Sequence, residues 1–180
     1  HFIQDISTVM GLHNIYTLGE ALSDCVNRIY EMPKGKVQIP MPILPGANNV
    51  SNNLTIVEST SGTYGLPEYV DEDTLQITGV ATENPNVKNM NGQILDLHEV
   101  HVPYNGGDFL LGSYHISESM AYLAEIIVYG KNSGIVEPSP NYPYDVVRQL
   151  AYFYDKDLAA NYPLLFALCD LSLTFSHPAH

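Results

Sequence analysis

The chain has 180 residues, enough for one domain that buries about two-thirds of its unfolded surface. Seven Lys+Arg against twenty Asp+Glu give a formal net charge of −13, which repels phosphate and anionic lipid and excludes direct nucleic-acid binding through the chain's own charge. The apolar stretches at 123–129 and 164–169 fall far short of the roughly 18 residues a membrane helix needs, which excludes a helical membrane span.

The chain opens on His1 with no basic segment leading into an apolar one, so it reads as a processed or excised piece. Ile15, Leu18, Leu22, Val26 and Ile29 recur at helical spacing, and Thr17-Leu18-Gly19-Glu20 fits a capping box, which predicts a helix over 17–31. Pro33 ends it. Pro40, Pro42 and Pro45 then make the chain extended, without the donors an interior strand needs, so residues 1–46 read as a helix and a proline-rich arm. Residues 47–180 read as the main domain.

From Asn53 to Val136 short β-rich runs at 54–57, 75–80, 93–102, 109–114 and 123–129 are broken by Gly, Asn, Asp and Pro. Asn91-Gly92 is a type I′ turn signal that would join 87–90 to 93–97, and Tyr104-Asn105-Gly106-Gly107-Asp108 is a second turn. Met120, Leu123, Ala124 and Ile127 also fit a helical stripe with Ser117 as cap. The β-branched run Ile126-Ile127-Val128 favours a strand there. A helix is expected over 145–154, with Val146, Val147, Leu150 and Phe153 on one side. Residues 162–175 read as a buried strand or a short helix, with Leu171, Leu173 and Phe175 alternating as in a strand. No internal repeat, heptad or low-complexity tract is present. The expected fold is mainly β, an antiparallel β-sandwich or jelly roll with one N-terminal and one C-terminal helix.

Several residues are candidates for chemistry. Cys25 and Cys169 are too few for a disulfide framework but could close one long loop; two buried free thiols are the alternative. Asn49-Val50-Ser51 and Asn53-Leu54-Thr55 are sequons in a polar stretch, which would suit glycosylation at Asn49 and Asn53 and an extracellular or particle-surface setting. Glu68, Asp71, Glu72 and Asp73 form the densest acidic cluster. Asp71 and Asp73 could supply oxygen ligands to Ca²⁺, and a solvated acidic turn explains the same residues.

In the second turn, Tyr104, Asn105 and Asp108 could contact a sugar, with Tyr104 as a stacking face; a tight hairpin accounts for them too. His98-Glu99-Val100-His101, with His115 downstream, lacks the His-Glu-x-x-His spacing, and on a strand His98 and His101 point to opposite faces. There is no Gly-x-Ser-x-Gly elbow, phosphate loop or dinucleotide fingerprint, and Cys169 sits in an apolar run that suppresses its reactivity. Thirteen tyrosines supply rigid amphipathic area suited to contacts with proteins or sugars.

Asn91-Gly92-Gln93, Leu110-Leu111-Gly112-Ser113 and Leu123-Ala124-Glu125-Ile126-Ile127-Val128-Tyr129-Gly130-Lys131 stand in the order found in laminin-G-like, concanavalin-type jelly rolls, which this quarter of the chain resembles. The chain departs from that family in having no Trp and in carrying Tyr122 where a Gly precedes the Ala-Glu step. The resemblance implies a two-sheet sandwich used for adhesion, carbohydrate binding or surface assembly, and no catalysis. The expected function is therefore a non-enzymatic binding or structural module whose partners are further copies of itself or a carbohydrate or protein surface. A viral or phage capsid or decoration protein, and a hydrolase with an unrecognised site, are the alternatives.

Overall fold

The computed structural model describes residues 8–33, 48–67, 70–88, 92, 94–130, 134, 136 and 139–180, with the backbone alone for 48–52. Six α-helices and one three-stranded sheet occupy the described residues: α1 (Val9–Glu31), α2 (Asn48–Ser61), β1 (Ala81–Glu83), β2 (Glu99–Tyr104), β3 (Gly107–Leu111), α3 (Ser113–Tyr129), α4 (Val146–Tyr154), α5 (Lys156–Ala160) and α6 (Tyr162–Ser172). A 3₁₀ turn, Glu72–Thr74, stands before β1. This architecture overturns the expected mainly-β sandwich or jelly roll, and with it the fold that the laminin-G-like resemblance implies.

The sheet is antiparallel in the order β1-β2-β3. Along β2, burial alternates strictly: Val100, Val102 and Tyr104 face inward while Glu99, His101 and Pro103 face out, as a one-sided sheet requires. The turn at Asn105-Gly106 joins β2 to β3, with Tyr104 opposite Gly107. Ahead of β1, the strand expected over 75–80 does not form; the segment pairs through an isolated bridge from Ile77 to Tyr104. Lys88 and Ile94 bridge across the expected Asn91-Gly92 turn, of which Gly92 alone lies within the described residues.

Two expected strands are helices. Residues 54–57 lie inside α2, and 123–129 form the last two turns of α3. In α3, Ile116, Met120, Leu123 and Ile126 are buried at spacings of three and four, the stripe of a helix packed on one side. The β-branched run costs the helix only tenths of a kcal/mol per residue, roughly, which burying that stripe outweighs. Of the two readings open for 162–175, the short helix holds as α6, and the strand read from Leu171, Leu173 and Phe175 does not form: Asn161 accepts from Leu164 N at 3.2 Å, Pro163 fits the first turn, and Leu165 and Cys169 face α3.

The core lies in two clusters. Leu75, Val100, Val102, Tyr104, Phe109, Leu111, Tyr142 and Val146 pack beneath the sheet. Ile116, Met120, Leu123, Ala151, Ala159, Leu165, Cys169 and Leu173 pack among α3, α4, α5 and α6. Ala179 touches both. Ser119 ties α3 to α4, donating to Pro143 O (3.2 Å) and accepting from Val147 N (3.3 Å).

Candidate functional site: an outward-facing apolar helix

Helix α1 starts earlier than the sequence suggests. Thr8, not Thr17, is its cap, accepting from Gly11 N at 3.0 Å, and Thr17 is buried in mid-helix. The side that packs on the rest of the chain carries small or polar residues, with Thr17 and Ala21 at its centre and Met10 and Gly11 at its start. Asn53 of α2 donates to Glu20 at 3.2 Å, and Met10 N reaches Leu173 O at 3.4 Å.

The side that faces solvent is the apolar one. Leu12, Ile15, Leu18, Leu22, Val26 and Ile29 are each 44–61% exposed. At 100° per residue they fall within about 120° of arc, so they form one continuous stripe along the helix. The charged residues Glu20, Asp24, Arg28 and Glu31 all lie on the opposite side. Asp24 and Arg28 pair there at 2.8 Å, and Tyr16 donates to Glu20 at 2.7 Å. The stripe exposes on the order of 600 Å², the upper end of what the largest apolar patch of a monomer covers.

The most perturbed groups lie in the core. His115 is fully buried, and burial pushes its pKa down to about 3. Gly112 N–H donates to Nδ1 at 3.3 Å, so the ring proton sits on Nε2, which donates to Tyr142 Oη at 2.9 Å; Tyr142 Oη–H in turn donates to Thr63 O. Burial also raises the Tyr142 phenol. Both ring nitrogens are thus committed to holding the β3–α3 junction onto the end of α2. Next to this junction, burial raises the Glu118 carboxyl and the Tyr114 phenol.

The residues singled out in the sequence are scattered. Tyr104 is 6% exposed and packs on Phe109, so its ring is a core face rather than a platform for a sugar. Asn105 clasps the chain before β1: Gln76 N donates to its Oδ1 (3.2 Å), its Nδ2 to Thr74 O (3.3 Å) and its N to Gln76 O (3.2 Å). Asp108 is exposed beside His101 Nδ1 at 3.3 Å. Asp71 accepts from Asp73 N at 3.1 Å, capping the 3₁₀ turn, while Asp73 O accepts from Asn141 at 2.7 Å. Glu68 lies outside the described residues.

Cys25, half-buried on α1, and Cys169, buried on α6, are free thiols; burial, with Asp170 adding to it, pushes Cys169 up to about 12. Both sequons fall on α2 rather than a loop, and the side chain of Asn49 lies outside those described. The proline arm of 34–47 likewise lies outside the described residues. His98 packs against His177 and His180, with ring centroids 5.1 and 4.6 Å away, and its Nδ1 meets Asn84 Oδ1 at 2.6 Å. Among the described residues no group of three or more His, Cys, Asp or Glu is arranged to hold a metal ion, and no helix is long and apolar enough to cross a membrane.

The stripe on α1 was legible as a period in the sequence. Its outward direction was not, because a period of 3.6 marks which residues share a face and not what that face meets. Compared with family models, curated proteins and solved structures, the chain matches none.

Proposed function

We propose that the chain is a non-enzymatic structural module that assembles with a second copy of itself through the apolar face of α1. The observation that carries this reading is the inverted orientation of the helix: small and polar residues inward, aliphatic residues outward. Facing two such stripes would remove roughly 1,200 Å² from water, the lower limit of a specific, stable interface. Spacings of three and four along Ile15, Leu18, Leu22, Val26 and Ile29 suit side chains that interdigitate with an equivalent helix at a shallow crossing angle. A twofold arrangement lets one patch serve both copies. Each copy carries −13, and the stripe is the uncharged path by which two such bodies can meet.

Sedimentation equilibrium on the full chain tests this, beside a Leu18→Glu, Leu22→Glu double variant. Both substituted side chains are exposed, so helicity by circular dichroism should be retained. A dimer for the parent and a monomer for the variant are expected at about 100 µM. A parent that stays monomeric at that concentration, or a variant that still dimerises, overturns the proposal. A parent monomer whose α1 amides lose protection on deletion of residues 34–47 would assign the stripe to the chain's own arm instead.

A further inference from the structure

A groove of about 650 Å³ opens on the far side of α4, lined by Gln76, Ile77, Arg148, Gln149, Tyr152, Phe153 and Lys156. Its volume lies in the range of pockets that hold small organic ligands, roughly 300–1,000 Å³. One wall is the segment before β1 that Asn105 clasps, so the groove sits between the sheet layer and the start of α5. Two of the seven Lys+Arg of this acidic chain line it.

Three features set what it can take. Tyr152 and Phe153 are 52% and 49% exposed, so aromatic surface is open to a ligand in the groove. Arg148 is held as a fork on Asp145, its Nε donating to Oδ1 at 2.6 Å and Nη2 to Oδ2. Its charge is thereby already balanced. Lys156 stands 5.2 Å over the Tyr152 ring. The neighbouring Asp155 turns away to cap α5, accepting from Asp157 N at 2.8 Å. Lys156 therefore supplies the groove's unbalanced positive charge. Gln149 lines the wall with its Nε2 buried beneath the groove surface, so its side-chain amide reports on the groove without reaching into it.

The geometry points to a binding site for an aromatic monocarboxylate. The ring lies against Tyr152 and Phe153, and the carboxylate meets Lys156 Nζ. A single uncompensated cation matches one negative charge and rejects a di- or triphosphate, which would leave charge unpaired in the groove.

The test is a titration of the full chain with 2-naphthoate, followed by ¹H–¹⁵N spectra that resolve the Gln149 side-chain amide. Saturable shifts of that amide and of the backbone at residues 148–156 are expected, with affinity falling about tenfold for Lys156→Glu and for the neutral 2-naphthalenemethanol. Tyr152→Ala should weaken binding by a similar factor. Two results overturn the site: no saturable shift at millimolar probe, or equal affinity for acid and alcohol. Shifts confined to residues 12–29 would also overturn it, as capture by the apolar stripe of α1. Lys156 and Tyr152 are exposed, so the variants should fold, which circular dichroism checks.

Discussion

A Cβ placed on Gly112 would lie 2.4 Å from the backbone nitrogen of Gly62. The reverse holds as well: a Cβ on Gly62 would meet Gly112 N and Leu110 O at 2.6 Å, and Gly62 has φ +85. The end of α2 and the β3–α3 junction therefore touch backbone to backbone, with Thr63 N donating to Leu110 O at 2.9 Å. Either glycine changed to alanine drives a carbon into main chain that cannot rotate away, and at Gly62 adds left-handed strain of about 1–2 kcal/mol. Gly62→Ala and Gly112→Ala should each lower unfolding free energy by about 3 kcal/mol or more, read as the shift in urea midpoint. A loss below about 1 kcal/mol at both positions would show that the junction yields.

His115 makes stability depend on pH. Its folded pKa is lowered to about 3, below the ordinary value of 6.5, so between these limits the unfolded chain binds a proton that the folded chain refuses. Stability contributed by the neutral ring is complete above pH 6.5 and is lost as pH falls toward 3, with a slope approaching about 1.4 kcal/mol per pH unit. Urea midpoints for the parent should fall across that window more steeply than those of His115→Gln, which has no proton to take up. Parallel profiles would remove the ring as the cause.

Tyr142→Phe deletes the hydroxyl between His115 Nε2 and Thr63 O. The ring keeps its edge-on contact with Phe109, at a centroid distance of 5.3 Å, so packing survives while a buried donor and acceptor lose their partner. A loss of about 1–3 kcal/mol in unfolding free energy is expected from denaturant titration. A neutral result would mean that water takes the place of the hydroxyl.

The two thiols should react in separate phases. Cys169 is buried and pushed up to about 12, so near neutral pH it stays protonated and shielded, whereas Cys25 is only half-buried. Titration with a chromogenic disulfide at pH 8 should count one thiol in the folded chain and a second on adding denaturant. Two fast equivalents would contradict the burial of Cys169.

Association through α1 should strengthen with salt. Each body carries −13, and the stripe has no ion pair to screen, so raising ionic strength removes repulsion and weakens nothing at the contact. The dimer constant by sedimentation should tighten between low and roughly molar salt. Weakening would point to an interface built on charge.

The part of α1 from 17 to 31 and the helix at 146–154 were legible because their apolar residues recur at one period, while the first eight residues of α1 and its true cap, Thr8, were missed. The sheet was legible only in part, at β2, β3 and the turn between them. α3 was misread because Ile126, Ile127 and Val128 weigh toward a strand locally, while the fold rewards the longer stripe from Ile116 to Ile126 that only tertiary packing reveals. α2 was misread for the opposite reason: 48–61 has little apolar pattern, and part of what fixes its end is the touch of Gly62 on Gly112, which no local signal encodes. Of the groove, Asn105 was legible as a turn residue. Its pairing with Gln76, twenty-nine positions away, was not.

The inverted attachment of α1 also sets how firmly that helix is held. Held by Thr17, Ala21, Met10 and a few polar links, α1 anchors far less apolar surface than α3 or α6, whose aliphatic faces build the inner cluster. Its amides will exchange with solvent through local openings that leave the rest of the molecule closed. Coupling two copies face to face suppresses those openings, so slowed exchange confined to α1 is the signature that assembly leaves on the monomer's own dynamics.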